Sequence, residues 1–411
     1  MTLRILAPQQ ARATVELPLS KSISNRALIL GSLAQCTRFD CALCDDTHAM
    51  RNALSILRQG GEAHIDVGAA GTAMRFLTAY CATLENKVTV IDGCERMRQR
   101  PIGVLVDALR SCGAKIEYLR EEGFPPLRIT GNALSAKRIT IPGGTSSQFI
   151  SALLMIAPVV QGCRAIEIEG EAVSMPYIDM TIAMMREFGV EAQRIGNVVE
   201  IPPQARYSAP EFKVEADWSA ASYWFEIAAL LPGSEIFLKG LRRQSIQGDS
   251  TVAEHFAKMG VGTEWMPGGN MRLFAIPCPK EQIVLDLNAT PDLAPTLIAT
   301  ACALGFKKVS FTGLKTLRIK ETDRLEALRA ELRKLGYEIT IVSDDEIAGV
   351  NRCEPSAHEI HTYGDHRMAM AFAPLSACHQ PLDILNPEVV SKSYPDFWSH
   401  LALAGFEFEN L

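Results

Sequence analysis

The stretch LDLNATPDLAPTLIATACAL, residues 285–304, reads as an extended segment, a short polar turn and then a helix rich in small residues. The same arrangement occurs at five other places in the chain. These are ELPLSKSISNRALIL (16–30), DVGAAGTAMRFLTAYCA (66–82), TIPGGTSSQFISALLMIAP (140–158), VEADWSAASYWFEIAAL (214–230) and IHTYGDHRMAMAFAPLSAC (360–378). Recurrence of this kind predicts one supersecondary unit that is used six times.

The spacing of the turns is regular except at the start of the chain. The marker residues are Ser22, Gly71, Ser146, Ser219, Asp292 and Asp365, at intervals of 49, 75, 73, 73 and 73 residues. The first interval is 24 residues shorter than the last three, so one repeat lacks an element. Between markers, amphipathic helices end at Gly and lead into a strand, as in PIGVLVDALRSCGAKIEYL (101–119). Mixed repeats of this kind predict an α/β fold, with two domains of three units each.

Composition restricts the class of protein. The 411 residues are 47% hydrophobic and 21% charged, as in a globular protein, and the net charge of −6 gives no reason to expect a nucleic-acid partner. The longest nearly apolar run, Phe149 to Val160, is too short to cross a bilayer, and the first residues, MTLRILAPQQ, lack the apolar core of a signal peptide. We therefore expect a cytoplasmic protein without a membrane partner.

The cysteines and histidines do not predict a metal site. Eleven cysteines are scattered along the chain, and only Cys41 and Cys44 form a CxxC pair. The eight histidines form no ligand-like motif. We expect no metal, and thiols that are reduced and mostly buried.

The turns also carry many of the cations. Gly, Ser and Thr at a helix start leave backbone N–H groups free, and several such starts together would bind an anion. The basic residues in or near turns are Lys21, Arg26, Arg98, Arg100, Lys320, Arg324, Arg367 and Lys392. Each turn alone is also consistent with ordinary N-capping, and each cation with a solvated surface charge. An acidic protein that concentrates cations in such turns is expected to bind a small, highly anionic substrate.

The segment RIKETDRLEALRAELRKLG, residues 318–336, predicts a helix that begins next to Asp323. Asp323 is expected to cap this helix together with Glu326, and four leucines lie on one face. Lys320 and Glu321 precede the cap and are not needed for the helix, which suggests that they belong to a site.

Several motifs together resemble the 5-enolpyruvylshikimate-3-phosphate synthases, the sixth enzymes of the shikimate pathway. The motifs are LPLSKSISNRAL, GAAGTAMRFLTA, ERMRQRPIGVLVDALR, SSQFISALLM, IKETDRLEALRAELRKLG, YGDHRMAMAF and SKSYPDFW. They occur in the order typical of the family, from about residue 13 to residue 397. The resemblance implies an inside-out α/β barrel architecture of two domains, each with three βαβαββ repeats, one of them shortened here. The implied domains are residues 1–18 with 215–411, and residues 19–214, with the active site in the cleft between them.

The family transfers the enolpyruvyl group of phosphoenolpyruvate to the 5-hydroxyl of shikimate 3-phosphate without a cofactor, and the resemblance implies a monomer with these two substrates. Asp292 and Glu321 would move protons, with Lys21 and His366 as further candidates; His366 could instead orient Glu321. The implied contacts of shikimate 3-phosphate are Lys21, Ser22, Arg26, Ser146, Ser147, Gln148, Ser174, Tyr177, Asp292 and Lys320. Those of phosphoenolpyruvate are Lys21, Gly71, Arg100, Gln148, Arg324, Arg367 and Lys392.

The chain departs from the family pattern at four positions. Ala69 and Phe76 stand where the family usually has Asn and Pro, and Thr316 and Gly364 stand where it has Asn. The short first interval matches the absence here of an element that the family has, around RQGGEAHIDVGAAG, and a shortened sheet edge is the expected consequence. These changes affect the expected affinity for substrates rather than the catalytic pair.

Two other functions remain possible from the sequence. A related enolpyruvyl transferase acts on UDP-N-acetylglucosamine and uses a loop cysteine before an arginine, and Cys94 precedes Arg100 by six residues. The motifs RMRQRP, SSQ and KETDR favour the shikimate enzyme, and Cys94 is expected to be packed. The second alternative is a non-catalytic homologue that binds phosphorylated metabolites.

Overall fold

The computed structural model describes residues 1–36, 40–208 and 212–411. The strands in these residues are β1 Thr2–Leu6, β2 Arg12–Glu16, β3 Ala63–Asp66, β4 Val88–Asp92, β5 Lys115–Tyr118, β6 Leu127–Thr130, β7 Arg138–Pro142, β8 Ala165–Glu169, β9 Gln193–Ile195, β10 Val198–Glu200, β11 Glu235–Lys239, β12 Val261–Trp265, β13 Met271–Ala275, β14 Gln282–Asp286, β15 Lys308–Thr312, β16 Tyr337–Ser343, β17 Glu346–Arg352, β18 Glu359–Ile360, β19 Leu382–Leu385 and β20 Glu407–Asn410.

The α-helices in the same residues are α1 Lys21–Leu33, α2 Asp45–Leu57, α3 Gly71–Ala82, α4 Glu95–Arg98, α5 Gly103–Ser111, α6 Ser147–Ile156, α7 Met175–Glu187, α8 Trp218–Leu230, α9 Val252–Ala257, α10 Ala294–Leu304, α11 Arg324–Lys334, α12 His366–Phe372 and α13 Phe397–Leu403. Within the described residues, no helix is both long enough and apolar enough to cross a membrane.

The chain forms two compact units. Unit 1 consists of Met1–Leu19 and Glu215–Leu411, and unit 2 of Ser20–Val214. Unit 1 contains three four-stranded sheets with the orders β18-β19-β1-β20, β12-β13-β11-β2 and β14-β15-β17-β16. In the last of these, β14 and β15 are parallel, whereas β17 pairs antiparallel with both β15 and β16. A helix therefore connects the parallel pair and a short turn connects the antiparallel pair, which is an α/β arrangement.

The described residues of unit 2 form two sheets of the same kind, β3-β4-β6-β5 and β7-β8-β10-β9. Its first part is different. The described residues from Ser20 to Glu62 form α1 and α2 but no strand. The short first interval of the sequence thus corresponds to a pair of helices without a sheet, rather than to the expected shortened sheet edge.

The helices that follow the six turns are buried on most sides. Ser146 and Asp365 are the N-cap residues of α6 and α12, and Gly71 is the first residue of α3. All residues of α12 are buried, as is all of α6 except Gln148. Beyond their first residues both helices are mainly apolar, as expected for helices surrounded by other elements.

The second helix of a repeat is amphipathic and lies nearer the surface. In α11, Leu325, Leu328 and Leu332 are fully buried, while the opposite face is charged. The helix ends before Gly336, whose φ of +88° is favoured by Gly, and β16 follows. The predicted order of helix, Gly and strand is confirmed here.

Candidate active site

The start of α11 has the geometry that the sequence predicts. Asp323 is the N-cap and accepts a hydrogen bond from the Glu326 amide at 3.2 Å. Lys320 and Glu321 lie before this cap, after a 3₁₀-helix formed by Lys315–Ile319. Neither residue caps the helix: Glu321 pairs with Arg324, the first residue of α11, and Lys320 pairs with Asp292.

Arg324 is the centre of an ion-pair network in unit 1. Its side chain is 1% exposed, and it donates to Glu321 Oε2 at 2.8 Å and to Asp365 Oδ2 at 2.7 Å. It also contacts Asp292 Oδ1 at 3.2 Å. Burial alone would lower the pKa of this guanidinium, but Asp365, Glu321 and Asp292 outweigh burial and raise it. Arg324 therefore remains a fixed cation that holds the two proposed proton-transfer carboxylates.

Asp292 lies in a short 3₁₀-helix, Pro291–Leu293, ahead of α10. Besides Arg324, its carboxylate contacts Lys320 Nζ at 3.2 Å and Arg367 Nη2 at 2.9 Å. Burial raises the pKa of Asp292, but the charges of Arg367, Lys320 and Arg324 together hold it well below its ordinary value. Without substrate, this carboxylate is ionised and neutralised by cations.

The turn that carries Arg367 is held from two sides. Asp365, which is fully buried, accepts from the Arg367 amide at 2.9 Å as well as from Arg324. Ahead of it, the Glu331 carboxylate accepts from the Tyr363 hydroxyl at 2.6 Å and from the His361 amide at 3.0 Å. Because Glu331 and Arg324 both belong to α11, this helix fixes the turn.

Two further candidates complete the cluster in unit 1. Lys392 ends a 3₁₀-helix, Pro387–Lys392, and its Nζ lies 3.9 Å from Glu321 Oε1. His366 is 1% exposed, with Nδ1 3.5 Å from Asp365 Oδ1. The cluster in unit 1 therefore contains Asp292, Lys320, Glu321, Arg324, Arg367 and Lys392, with His366 at its border.

In unit 2, α1 carries Lys21, Ser22 and Arg26. Lys21 Nζ pairs with Asp46 Oδ2 at 3.2 Å. The Arg26 guanidinium is buried, and it donates to Thr181 Oγ1 at 2.7 Å and to the Ser22 carbonyl at 3.0 Å.

The other contacts of Arg26 are also neutral. Its Nη2 donates to Ser151 Oγ at 3.0 Å and to the Tyr177 carbonyl at 3.2 Å. Burial lowers its pKa to about 10. Among the described residues no carboxylate neutralises it, which favours binding of an anion.

Arg100 lies over the start of α3. A Cβ added at Gly71 would be 2.5 Å from Arg100 Nη1, so only Gly allows this approach. The Arg100 side chain is buried, and its Nε has no hydrogen-bond partner among the described residues. The nearby Arg75 donates to the Gly71 carbonyl at 3.2 Å and to the Pro101 carbonyl at 3.3 Å, and thereby ties the two turns together.

The remaining candidates of unit 2 lie at the starts of α6 and α7. Ser146 is the N-cap of α6 and accepts from the Gln148 amide at 3.3 Å, and Gln148 Nε2 donates to Thr72 at 3.2 Å. Ser147, the first residue of α6, is buried. Ser174 is the buried N-cap of α7 with a left-handed φ of +56°, and Tyr177 lies in the first turn of α7. The interpretation of Ser146 as a helix cap is thus confirmed.

The four departures from the family pattern lie in different surroundings. Phe76 is buried, and the Arg26 guanidinium lies 5.3 Å from its ring centroid, a cation–π distance. Ala69 lies in the turn before α3. Thr316 has a buried hydroxyl without a hydrogen-bond partner in the described residues. Gly364 has a φ of +66°, a conformation that both Gly and Asn tolerate.

Two expectations about cysteines have different outcomes. Six of the eleven cysteines are buried, in line with the expectation that most of them are. The expectation that Cys94 is packed is wrong, because Cys94 is exposed as the N-cap of the short helix α4. No group of three or more His, Cys, Asp or Glu side chains in the described part of the chain could hold a metal ion.

The sequence did not identify the acidic partners that hold the cations. Asp46, Asp365 and Glu331 each hold a basic or polar side chain or a backbone amide near the site. Asp365 and Glu331 lie in quoted motifs, but the motifs did not indicate which groups they bind. Asp46 belongs to CDDTH, where no local pattern distinguishes it from an ordinary helix-start acid. Pairing between residues far apart in the chain gives no signal in a single sequence.

Comparison with known proteins identifies the family. A family model described as EPSP synthase (3-phosphoshikimate 1-carboxyvinyltransferase) matches residues 5–401. A 3-phosphoshikimate 1-carboxyvinyltransferase of Bacteroides fragilis (strain ATCC 25285) is 49% identical over 405 residues, covering 97% of each chain. One of Shewanella sp. (strain W3-18-1) is 40% identical over 433 residues, covering 97% of this chain and 98% of the relative. The solved EPSP synthase of Acinetobacter baumannii has the same fold, with a TM-score of 0.75, 22% identity and full coverage of both chains. The chain therefore belongs to the EPSP synthase family.

Proposed function

We propose that this chain transfers the enolpyruvyl group of phosphoenolpyruvate to the 5-hydroxyl of shikimate 3-phosphate and releases phosphate. The observation that carries the proposal is the cluster in unit 1, where Asp292 and Glu321 are both bound to Arg324 among further cations. Each substrate carries a carboxylate and a phosphate, which match an excess of Arg and Lys. A protein that only bound such anions would have no need for a carboxylate pair inside the cationic cluster.

The proposed contacts are divided between the two units. In unit 1, Arg324, Arg367 and Lys392 bind phosphoenolpyruvate, and Lys320 serves shikimate 3-phosphate. In unit 2, Gly71 and Arg100 bind phosphoenolpyruvate. Lys21 and Gln148 serve both substrates, and the residues that bind shikimate 3-phosphate there are Ser22, Arg26, Ser146, Ser147, Ser174 and Tyr177.

The reaction requires two proton movements. One group takes the proton of the 5-hydroxyl while another protonates the methylene carbon of phosphoenolpyruvate, and the hydroxyl oxygen forms its bond to C2. The tetrahedral intermediate then loses phosphate as the methyl carbon returns its proton. We assign these transfers to Asp292 and Glu321, with Lys21 and His366 as assisting candidates.

The charge network explains how Asp292 could become a base. In the free chain its pKa is held well below its ordinary value by Arg367, Lys320 and Arg324. Substrate carboxylate and phosphate groups that bind the same cations add negative charge next to Asp292, which raises its pKa. Binding of the anionic substrates thus prepares the carboxylate for accepting a proton.

The test is phosphate release by the purified chain with phosphoenolpyruvate plus either shikimate 3-phosphate or UDP-N-acetylglucosamine, with the product identified by mass spectrometry. Enolpyruvyl product from shikimate 3-phosphate alone supports the proposal. Glu321→Gln and Asp292→Asn should each lower kcat about 10²- to 10⁴-fold, the range for loss of general acid–base catalysis. Glu326→Gln, a change at the exposed ion-paired side of α11, is the matched control.

Two outcomes would contradict the proposal. Product only from the sugar nucleotide, lost in Cys94→Ser, would assign the chain to the related enolpyruvyl transfer. No product from either acceptor, with both anionic substrates still bound in calorimetry, would leave binding as its role.

The architecture is part of the proposal. We take the two compact units as the family's two domains, residues 1–18 with 215–411 and residues 19–214, each an inside-out α/β barrel of three βαβαββ repeats, one of them shortened. A monomer in the cytoplasm, without nucleic-acid or membrane partners, is likewise proposed. Light scattering of the purified chain, which measures its molar mass in solution, tests whether it is a monomer.

A further inference from the structure

Besides Asp292, a further carboxylate lies near Arg367, and none of the proposed catalytic roles uses it. Asp249 is in the segment SIQGDS, residues 245–250, within a 3₁₀-helix formed by Gly248–Thr251. Its residue is 4% exposed. The Ser219 hydroxyl donates a hydrogen bond to Asp249 Oδ2. Ser219 is also the marker residue of the fourth turn, at the start of α8.

The same hydroxyl faces the site. Arg367 Nη2 lies 3.5 Å from Ser219 Oγ and 2.9 Å from Asp292 Oδ2, so one end of the guanidinium contacts both groups. Arg367 Nη1 also donates to the Asp292 carbonyl at 3.2 Å. A hydroxyl has one proton and two lone pairs. Because the Ser219 hydroxyl donates its hydrogen bond to Asp249, its lone pairs remain available to accept one from Arg367.

The local backbone holds Asp249 next to Ser219. Gln247 Oε1 accepts from the Trp218 amide at 3.1 Å, and Gln247 Nε2 donates to the Ala216 carbonyl at 2.8 Å. These two bonds attach the turn of Asp249 to the residues that begin α8. The backbone that carries Asp249 is therefore attached to the start of α8 by the Gln247 side chain.

The charges around Asp249 make its retention costly for the fold. Burial and the neighbouring charges of Asp292 and Asp217 raise the pKa of Asp249, while Ser219 and Arg367 oppose the increase; the resulting pKa is about 6. A neutral side chain of the same shape would avoid this cost. A buried carboxylate that destabilises its surroundings next to a cluster of reactive groups is typical of a functional role.

We infer that Asp249 is a positioning residue that orients the Arg367 guanidinium through the Ser219 hydroxyl, and with it the Asp292 carboxylate. This inference rests on the proposed function, in which Arg367 binds phosphoenolpyruvate. Asp249 itself does not touch the reacting atoms. Its effect is on the direction in which Arg367 presents its N–H groups to the substrate anion.

The test is a double-mutant cycle in the full chain, with steady-state kinetics for both substrates. Asp249→Ala and Ser219→Ala should each raise the KM for phosphoenolpyruvate about 10- to 100-fold, the range for a hydrogen bond to a charged group. The double variant should be no worse than the poorer single variant, because both changes interrupt one pathway. Asp249→Asn, whose amide oxygen can accept the same bond, should recover most of the loss.

Ser222→Ala is the matched control. Ser222 lies one turn further along α8, is buried, and donates to the Ser219 carbonyl at 2.6 Å, but its hydroxyl is bonded away from Arg367. We expect the KM of the Ser222→Ala variant for phosphoenolpyruvate to equal that of the parent chain. The melting temperatures of Ser219→Ala and Ser222→Ala should be similar to each other.

The outcomes separate the two proposals. An active parent chain, with Asp249→Ala and Ser219→Ala matching Ser222→Ala in KM, would overturn the positioning role and leave the proposed function intact. Additive losses in the double variant would also overturn it, since the two groups would then act separately. An inactive parent chain would overturn the proposed function and this inference with it.

Discussion

Substitution of Gly71 by Ala tests the position of Arg100. Gly71 is the first residue of α3, and a Cβ placed there would lie 2.5 Å from Arg100 Nη1 and 3.0 Å from both Cζ and Nη2. Ordinary contacts between such atoms are about 3.5–4.0 Å. The guanidinium must therefore withdraw by about 1 Å. Among the described residues nothing accepts a hydrogen bond from Arg100 Nε, so the side chain can move without breaking a bond there.

The size of the effect follows from the interaction that is lost. Arg100 is proposed to donate a charge-assisted hydrogen bond to phosphoenolpyruvate, and such bonds contribute about 1.5–3 kcal/mol. At about 1.4 kcal/mol for each factor of ten, the KM for phosphoenolpyruvate should rise about 10- to 150-fold. The helix should not be weakened, because Ala is favoured over Gly in helices by about 1 kcal/mol.

The assay is steady-state kinetics with each substrate varied in turn. We expect the KM for shikimate 3-phosphate to change less than about twofold, because the hydrogen bond that is lost is made only to phosphoenolpyruvate. Gly144→Ala is the matched control: Gly144 lies in the turn before α6, and a Cβ there would meet nothing within 4 Å. Equal increases in both KM values, or no increase for phosphoenolpyruvate, would refute the assignment of Arg100.

Three further predictions concern neighbouring groups. The pKa of Asp249 is about 6 in the folded chain and 3.8 in its ordinary state. The folded state therefore binds the proton more tightly, and stability falls as the pH rises from about 4 to about 6. Asp249→Asn should be more stable than the parent at pH 8, by up to about 3 kcal/mol, and equal at about pH 4; no pH dependence of the difference in thermal unfolding would contradict this. Tyr363→Phe removes the 2.6 Å bond to buried Glu331 and should destabilise unit 1 by about 1–3 kcal/mol in urea unfolding, whereas an unchanged midpoint would show that the bond contributes nothing. Phe76→Leu removes the ring 5.3 Å from Arg26 and should raise the KM for shikimate 3-phosphate about two- to fivefold, with the KM for phosphoenolpyruvate as internal control.

Local features of the fold could be predicted from the sequence because their causes are local. The cap of α11 depends on Asp323 and a residue three positions later, and the end of the helix depends on Gly336. The turn and apolar pattern of each repeat likewise lie within about 20 residues, where helix and strand periods are readable. The loss of every strand from the described residues in the first part of unit 2 could not be predicted. The short interval shows that residues are missing, but it does not show which strands the remaining residues form.

The partners of the cations could not be predicted, because they are chosen by tertiary packing. Arg324 and Asp365 are separated by 41 residues, and Arg367 and Ser219 by 148. The burial of Arg26 is also contrary to the usual exposure of Arg, and it depends on hydroxyls of α6 and α7. The prediction that Cys94 is packed was wrong because it relied on residue type, and cysteines are usually buried. Cys94 is the N-cap residue of the short helix α4, in which only Met97 is buried.

The helix starts that follow the turns differ in their capacity to bind an anion. A side chain already caps α1, α6, α8 and α12, through Ser20, Ser146, Asp217 and Asp365. In α8 and α12 the cap is a carboxylate, which neutralises the positive end of the helix. A 3₁₀-helix with Asp292 precedes α10. By contrast, the N-cap of α3, Ala70, makes no side-chain cap bond, and the Arg100 guanidinium lies directly over this start. The repeated turn therefore does not supply six equivalent anion sites. The start of α3, which has no side-chain cap and lies beside Arg100, is the start best suited to a substrate phosphate or carboxylate.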